Sequence, residues 1–428
     1  MFNTIKDKMV KKTSFNLKFS TTTLLLIENF IYWVTLGITT VSFSSFFVTD
    51  LYHDKDIPAA SKFFGICETL YYLTQLFGNS FFSVFSDRYG RKTSLVLILF
   101  ASSLDWFILS NATTPVIILI SRMMHGFSDS SSQVLGSYLS DLVAKEEFSK
   151  KMGLVHGCGG AGMVFGLIMA FILTNSEFTN QNMFLIASIL TFIDGVFVSL
   201  LIPESKRENL ATKFEWKKIN PTESFKYIFK KPKYKPLIPI LFLNTLGGTC
   251  CLVILQFYLK LKFQISDTNI YYLLFQGSIF QIASMGYLLK LSIKKRGNKK
   301  TLTDALIAQF ILNLCCIFAN KAWMFFLIIP LIYHLVSFTI IQSFFQSIVD
   351  DKELDTLFGS LSLSANLVNM ISKYIYPLIF SYSTKNYFFP EAPFILALVF
   401  SIMNIYYSLQ IKEEDFFSKK NEKNIVEL

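Results

Sequence analysis

The chain has 428 residues, of which 52% are apolar and only 16% are charged, with 46 phenylalanines and a mean hydropathy of +0.45. An average soluble domain carries about 25% charged residues, so disorder, a disulfide-stapled secreted fold and a water-soluble enzyme are excluded at the outset. The formal charge of +10, from 40 basic and 30 acidic residues, leaves two readings: a nucleic-acid binder, or a membrane protein with its positive charge sorted to one side.

Apolar blocks of about 20 residues, the length that crosses about 30 Å of hydrocarbon, fall at 22–46, 63–84, 93–110, 114–141, 152–174 and 183–202. A second set follows at 237–259, 270–291, 302–319, 322–346, 358–382 and 392–410. The expected fold is therefore an all-α integral membrane protein of twelve transmembrane helices in two six-helix bundles. Residues 1–202 form the N-terminal bundle, 203–236 a linker, 237–411 the C-terminal bundle and 412–428 a polar tail. Met1 to Lys18 is polar and lysine-rich and runs straight into a full span, so no cleavable signal is expected. In the linker Trp216, Phe225, Tyr227 and Phe229 predict a short surface helix.

An even number of spans puts both termini on one side. The segments on that side hold 32 of the 40 basic residues and the opposite loops only 6. By the positive-inside rule the termini and the linker face the cytoplasm. No soluble domain exists to carry a nucleic-acid-binding face, so that reading is set aside. Arg122 and Lys373, one in each half, are the two basic residues left deep in spans. Cys67, Cys158, Cys250, Cys251, Cys315 and Cys316 all lie in apolar blocks without CxxC spacing, and are read as packed free thiols, with no metal site and no cofactor.

Polar residues inside the hydrocarbon are the candidate functional set, because an ionised side chain at mid-bilayer costs about 2.5–3.5 kcal/mol on insertion scales. In the first span Glu28, Tyr32, Thr35, Thr39 and Ser42 recur at helical spacing and predict an inward stripe. Glu28 is either a buried proton carrier tuned by Arg122 or a carboxylate in water near the headgroups. The third span carries Asp105. The fourth carries Arg122, His125, Asp129, Gln133, Gly136 and Ser140 at steps of three and four, which predicts one cavity-facing stripe. Gly153 with Gly157, and Gly162 with Gly166, are GxxxG pairs that permit close helix approach. Asp194 lies in the sixth span. Ser362, Asn366, Asn369 and Lys373 stripe the eleventh. Lys373 is a counter-charge for an anion, a partner for a carboxylate across the cavity, or a side chain snorkelling to the headgroups. His334 in the tenth span is read as a packing residue more readily than as a proton relay.

The loop after the second span reads Ser83-Val84-Phe85-Ser86-Asp87-Arg88-Tyr89-Gly90-Arg91-Lys92. It resembles the signature loop of the major facilitator superfamily, with Ser83 in the place of the first glycine. Gly90 permits a tight turn, Arg88 and Arg91 hold the loop at the anionic leaflet, and Asp87 offers a charge partner for an arginine or a helix N-terminus. Arg296-Gly297-Asn298-Lys299-Lys300 resembles a weaker copy, as duplicated halves would give. Asp105, Ile120 to Gly126, Gly136 to Asp141, Leu201 to Ser205, Asn220-Pro221 and Gly359 to Leu361 narrow the resemblance to the tetracycline/proton antiporter branch. It runs over roughly residues 60–380 and is denser in the first half. It implies a central cavity, alternating access, a small-molecule substrate and protons as coupling ion.

The chain also departs from that branch. Gly166 to Phe171 lacks the proline and closing glycines of the fifth-span signature, and Gln281 and Gln309 stand where the branch has ionisable residues. The expectation is therefore a monomeric, multi-pass secondary transporter in a bacterial inner membrane, proton-coupled and of efflux type. Glu28 or Asp105 would carry the proton, tuned by Arg122. An uptake carrier or facilitator for a nutrient or metal chelate is the alternative, and a non-transporting receptor a third class. No nucleotide-binding loop is present to support direct ATP drive.

Overall fold

The structure, a computed structural model, describes residues 20–143, 145–176, 178–205, 228–229, 232–349 and 354–411. The first half comprises α1 (Thr21–Phe46, prolonged by a π-helical turn Phe47–Leu51), α2 (Ile57–Tyr89), α3 (Arg91–Ser110), α4 (Pro115–Ser128), α5 (Ser131–Leu142), α6 (Lys145–Asn175) and α7 (Asn180–Leu201). The second comprises α8 (Leu237–Phe263), α9 (Asp267–Ala283, then a π-turn Ser284–Leu288), α10 (Leu289–Phe318), α11 (Met324–Leu327, then 3₁₀ Ile329–Leu335), α12 (Val336–Gln346), α13 (Leu354–Tyr387) and α14 (Ala392–Gln410). These make the twelve crossings, six in each half. The surface helix expected near Trp216 and the tail from Lys412 lie outside the described residues, but Phe229 packs on Phe242 with ring centroids 6.1 Å apart.

Helices run past the apolar blocks that announce them. The block 63–84, for example, lies within Ile57–Tyr89. In hydrocarbon a backbone polar group has no partner except its own helix, so the helix continues until a cap and water take over. Ser20 Oγ accepts from Thr23 N at 3.2 Å, and Asp56 Oδ1 accepts from Ala59 N at 2.9 Å. Among the described residues eight helical stretches are long and apolar enough to cross a membrane unaided. One of these, Asp267–Phe318, holds two crossings that turn at Gly297. The polar helices α2 and α13 and the broken fourth crossing supply the remainder.

Two corrections concern helix geometry. The fourth crossing is not one helix: Asp129 (φ −76°, ψ 66°) and Ser130 (φ −125°, ψ 11°) interrupt it. Short polar side chains in Ser128-Asp129-Ser130 compete with the backbone ladder, and the stripe inferred across this point loses its register. Arg122 and His125 are buried, whereas Gln133 and Ser140 are exposed. The GxxxG pairs also divide. A Cβ at Gly162 or Gly166 would meet the α1 carbonyls of Phe30 or Val34 at 2.5 or 2.3 Å, whereas Gly153 and Gly157 face open space. The close approach is thus between α1 and α6, inside the first half.

The apolar core shows how the halves meet. One cluster draws on both halves, joining Phe43, Phe47, Phe64 and Cys67 to Cys250, Phe257, Tyr258 and Tyr376. Two others stay within one half each, around Tyr138 and Leu139 in the first and around Phe344 and Leu357 in the second. The shared cluster lies toward the far face, opposite the termini, and the separate ones toward the terminal face. Polar ties reinforce the far side. Ser42 Oγ and Tyr271 Oη are 2.6 Å apart, Lys260 Nζ lies 2.9 Å from Ser45 Oγ and 2.7 Å from Asp267 Oδ1, and Lys385 Nζ lies 2.8 Å from Asp56 Oδ2. Among the described residues these ties between the halves lie toward the far face.

Candidate functional site

At mid-span three charged residues from three helices converge. Glu68 on α2 accepts from Arg122 Nη2 on α4 at 2.9 Å and, through its other oxygen, from Lys373 Nζ on α13 at 2.9 Å. The two basic residues that topology leaves in the hydrocarbon therefore share one carboxylate, and that carboxylate links the halves. Arg122 is further held over Phe43 and Tyr71, at 4.3 and 4.8 Å from the ring centroids. Close packing brings α13 in: a Cβ on Gly65 would meet Lys373 O and the Pro377 ring at 2.8 Å. Breaking a buried pair by removing one partner costs about 3–5 kcal/mol, since the remaining charge stays uncompensated.

The break in the fourth crossing builds a second cluster beside the first. Asp129 Oδ1 accepts from Tyr32 Oη at 2.5 Å, and its Oδ2 accepts from Tyr71 Oη and, at 3.0 Å, from Gln75 Nε2. Ser130 Oγ reaches Asn79 Oδ1 at 2.8 Å. Tyr71 thus touches both clusters, through its ring face to Arg122 and its hydroxyl to Asp129. His125, stacked on Tyr71 with centroids 5.5 Å apart, has its Nδ1 2.8 Å from Asp105 Oδ2, and Ser121 Oγ donates to Asp105 Oδ1. Glu28 is fully buried and accepts from Ser131 Oγ at 3.0 Å.

The turn after α2 forms a third assembly, at the terminal face. Gly90 takes φ 103°, and Gly297 takes φ 78° in the corresponding turn of the second half, which only glycine adopts without strain. Arg91 pairs with Asp87 at 3.0 Å and with Asp141 at 3.1 Å. Glu204 Oε1 accepts from Lys92 N at 3.1 Å, and Ser205 Oγ donates to Asp141 at 3.2 Å. Arg88 lies beside the Tyr89 ring. The segments 83–92, 136–141 and 201–205, remote in sequence, form one interlock within the first half.

The sequence-derived residues are partly gathered and partly dispersed. Arg122, Lys373, Asp129, Asp105 and His125 belong to the central clusters. Glu28 is buried rather than at the headgroups, and its hydrogen-bond donor is Ser131, whereas Arg122 goes to Glu68. Lys373 meets a carboxylate of the other half and does not snorkel. Asn369 accepts from Thr249 at 3.2 Å, and Asn366 is half-buried on the same helix. Gln133 stands apart, exposed beyond the break. Gln309 donates to Asn244 O at 3.0 Å, and His334 Nδ1 lies 3.0 Å from Leu331 O. Glu68, Tyr71 and Gln75 escaped the sequence reading. Their signal was present: Glu68, Tyr71, Gln75 and Asn79 recur at steps of three, four and four, a stripe equal to that of the first span.

The chain is similar to known transporters. The family described as the Major Facilitator Superfamily matches residues 21–373. The class C tetracycline resistance protein of Escherichia coli is 24% identical over 341 residues, covering 79% of this chain and 84% of that protein. The class H tetracycline resistance protein of Pasteurella multocida is 23% identical over 325 residues, 75% of this chain and 80% of that protein. In fold, the nucleoside transporter NupG has a TM-score of 0.73 at 12% identity, over 92% of this chain and 100% of its own. A D-xylose-proton symporter has 0.70 at 14%, over 92% and 98%.

Proposed function

Because the chain belongs to the Major Facilitator Superfamily, and so is a multi-pass secondary transporter of a small molecule, we propose that it exports an organic solute in exchange for protons. The membrane in this reading is a bacterial inner membrane. The termini and linker lie in the cytoplasm, as the sorting of 32 of 40 basic residues to their side supports. In this reading a single chain supplies both walls of the cavity and the transporting unit is the monomer.

The observation that carries the proton-coupled reading is Glu68 held between one cation of its own half and one of the other. Opening the far face separates α13 from α2, which removes Lys373 and leaves Arg122 in place. Glu68 then exchanges an ammonium partner for a proton from outside. When the far face closes again, Lys373 returns, restores the ion pair and displaces the proton toward the terminal side. Proton entry is thereby tied to the return stroke and solute exit to the outward stroke. Asp129, held by neutral donors beside Arg122, offers a polar anchor for solute at the cavity wall, and Asp105 with His125 fixes the face of α4 that carries Arg122.

Flux into proteoliposomes with an imposed pH gradient tests this, with tetracycline as first probe because the relatives are tetracycline resistance proteins, followed by a panel of metabolites, siderophores and other antibiotics. Glu68→Gln should lose gradient-driven accumulation while retaining downhill flux. Accumulation that survives in Glu68→Gln rejects the assignment. A second reading, uptake of a nutrient or metal chelate, is favoured by Gln309, which is bound into a neutral amide ladder where the antiporter branch has an acid. Direction separates the two: a deletion strain accumulates more solute if the protein is an exporter and less if it is a carrier for uptake.

A further inference from the structure

Short acidic side chains at the start of a helix ordinarily accept from its first N–H groups. Asp129 stands two residues before Ser131, the first residue of α5, yet the start of α5 carries no side-chain cap. The carboxylate reaches instead toward α1 and α2. Each hydrogen bond to it comes from a neutral donor. Tyr32 Oη donates to Oδ1 at 2.5 Å, and Tyr71 Oη and Gln75 Nε2 donate to Oδ2, the latter at 3.0 Å. Gln75 Nε2 also lies 3.5 Å from the Asp129 carbonyl oxygen. Among the described residues no cation pairs with Asp129. Arg122, on the face of the Tyr71 ring, is spent on Glu68, and so is Lys373.

What this arrangement lacks is a positive donor. A carboxylate offers about four acceptor positions; the three donors fill one on Oδ1 and two on Oδ2, which leaves Oδ1 with a free lone pair. Beside it Gln75 Oε1 is buried without a hydrogen-bond partner, because the Gln75 amide turns its N–H groups to Asp129 and, at 3.1 Å, to Tyr71 Oη. Two acceptors, one of them charged, are matched by a group that brings both positive charge and N–H donors. A protonated amine brings both. A hard divalent cation takes about six or more oxygen ligands, and no cluster of metal-ligating side chains occurs among the described residues. Asp129 is half-buried, whereas Glu68 and Arg122 are buried. It lies beyond Arg122 along the fourth crossing, on the side of Leu142 and the terminal face, so a solute arriving from that side meets it before the triad. We propose that Asp129 is the solute-binding carboxylate and that the solute carries a protonated amine, whose N–H groups bond Asp129 Oδ1 and Gln75 Oε1. The site deepens the export reading, on which the identity of this ligand as the transported solute rests.

Binding to the purified chain in lipid nanodiscs tests the site without a transport assay. Three probes share one ring system: naphthylethylamine, naphthylethanol and naphthylpropionate, which at neutral pH are positive, neutral and negative. Thermal stabilisation titrated with each should rank the amine first. The alcohol and the acid should bind about tenfold more weakly or worse, the ratio expected for a hydrogen bond to a charged group. The quaternary analogue naphthylethyltrimethylammonium keeps the charge without an N–H and should also bind more weakly than the amine. These rankings are read on the wild type and need no variant. Asp129→Asn should then bring the amine down to the level of the alcohol. The proposal is overturned if the wild type shows no preference for the amine, if the quaternary analogue binds as tightly, or if the preference survives in Asp129→Asn. An amine preference without gradient-driven flux would reject the export reading and leave the site standing. Gradient-driven export of other solutes with no amine preference would reject the site alone.

Discussion

The two halves share an architecture but not an interior chemistry. The first buries ionisable groups within its spans: Glu28, Glu68, Asp105, Arg122, His125 and Asp194, with Asp129 half-buried among them. The second buries amides and hydroxyls in the equivalent places. Gln309 donates to Asn244 O, Asn313 to Gly247 O and to Ser401, and Ser337 to Asn244. Its contribution to the mid-span charge is Lys373, which points across the seam to Glu68. The halves match in their positive-φ turns at Gly90 and Gly297. Among the described residues the buried ionisable groups thus gather in the first half, and the second adds Lys373 at the seam and the buried imidazole of His334.

This asymmetry can be broken by measurement. The largest effect is expected from Arg122→Ala, which leaves Glu68 with one cation and should cost about 3–5 kcal/mol in thermal unfolding of the purified protein. Gln309→Leu, the matching disruption in the second half, should cost about 1–3 kcal/mol, the price of an orphaned buried polar group. A larger loss for Gln309→Leu than for Arg122→Ala would overturn the contrast between a charged half and a neutral one.

The next prediction sharpens the role of the crossing charge. Lys373→Ala leaves Glu68 paired with Arg122 and should weaken the far-face closure specifically. With the native cysteines replaced, a reporter cysteine at Ser42 should then react with a membrane-impermeant thiol reagent roughly tenfold faster, equivalent to about 1.4 kcal/mol of closure. Equal rates with and without Lys373 would mean that the ion pair does not hold the halves together. Gly166→Val tests rigidity within the first half. Its added atoms meet the Val34 carbonyl and should cost about 1–3 kcal/mol, whereas Gly153→Ala, facing open space, should stay within about 0.5 kcal/mol.

The smallest effect belongs to the exposed end of the seam. Burial raises the Asp56 carboxyl, but the Lys385 ion pair and the Ala59 amide outweigh it and hold the group below its usual value. A depressed carboxyl contributes above its unfolded value and loses that contribution as the pH falls through its folded value. Acidification below about pH 4 should therefore remove a small increment of stability from the wild type that Lys385→Ala already lacks. For a pair this exposed the increment is about 0.2–1 kcal/mol, readable as a difference between two acid titrations of thermal stability.

The sequence by itself determined the class of fold, the number of crossings and the segregation of charge. Each depends on a one-dimensional property: a run of about 20 apolar residues is long enough to span a bilayer, and basic residues between such runs report which ends share a side. It also exposed Arg122, Lys373, Asp105 and Asp129, because a polar residue in an apolar run is conspicuous wherever it points. The signature turn was legible through Gly90, whose positive φ is a local demand. Partners were not legible. Glu68 and Lys373 are 305 residues apart, and no periodicity announces that α2 and α13 touch. The unbroken stripe read through Gln133 was an extrapolation of helical period across Asp129, where three consecutive short polar side chains end the helix. Glu28 stood about ten residues from Lys18, and only the packing of the helices decided that it is buried and accepts from Ser131. Which charge meets which, and which carboxyl is left without a cation, is settled by the folding of the chain upon itself, since a buried ion's state depends on the few side chains within hydrogen-bond reach rather than on its neighbours in sequence.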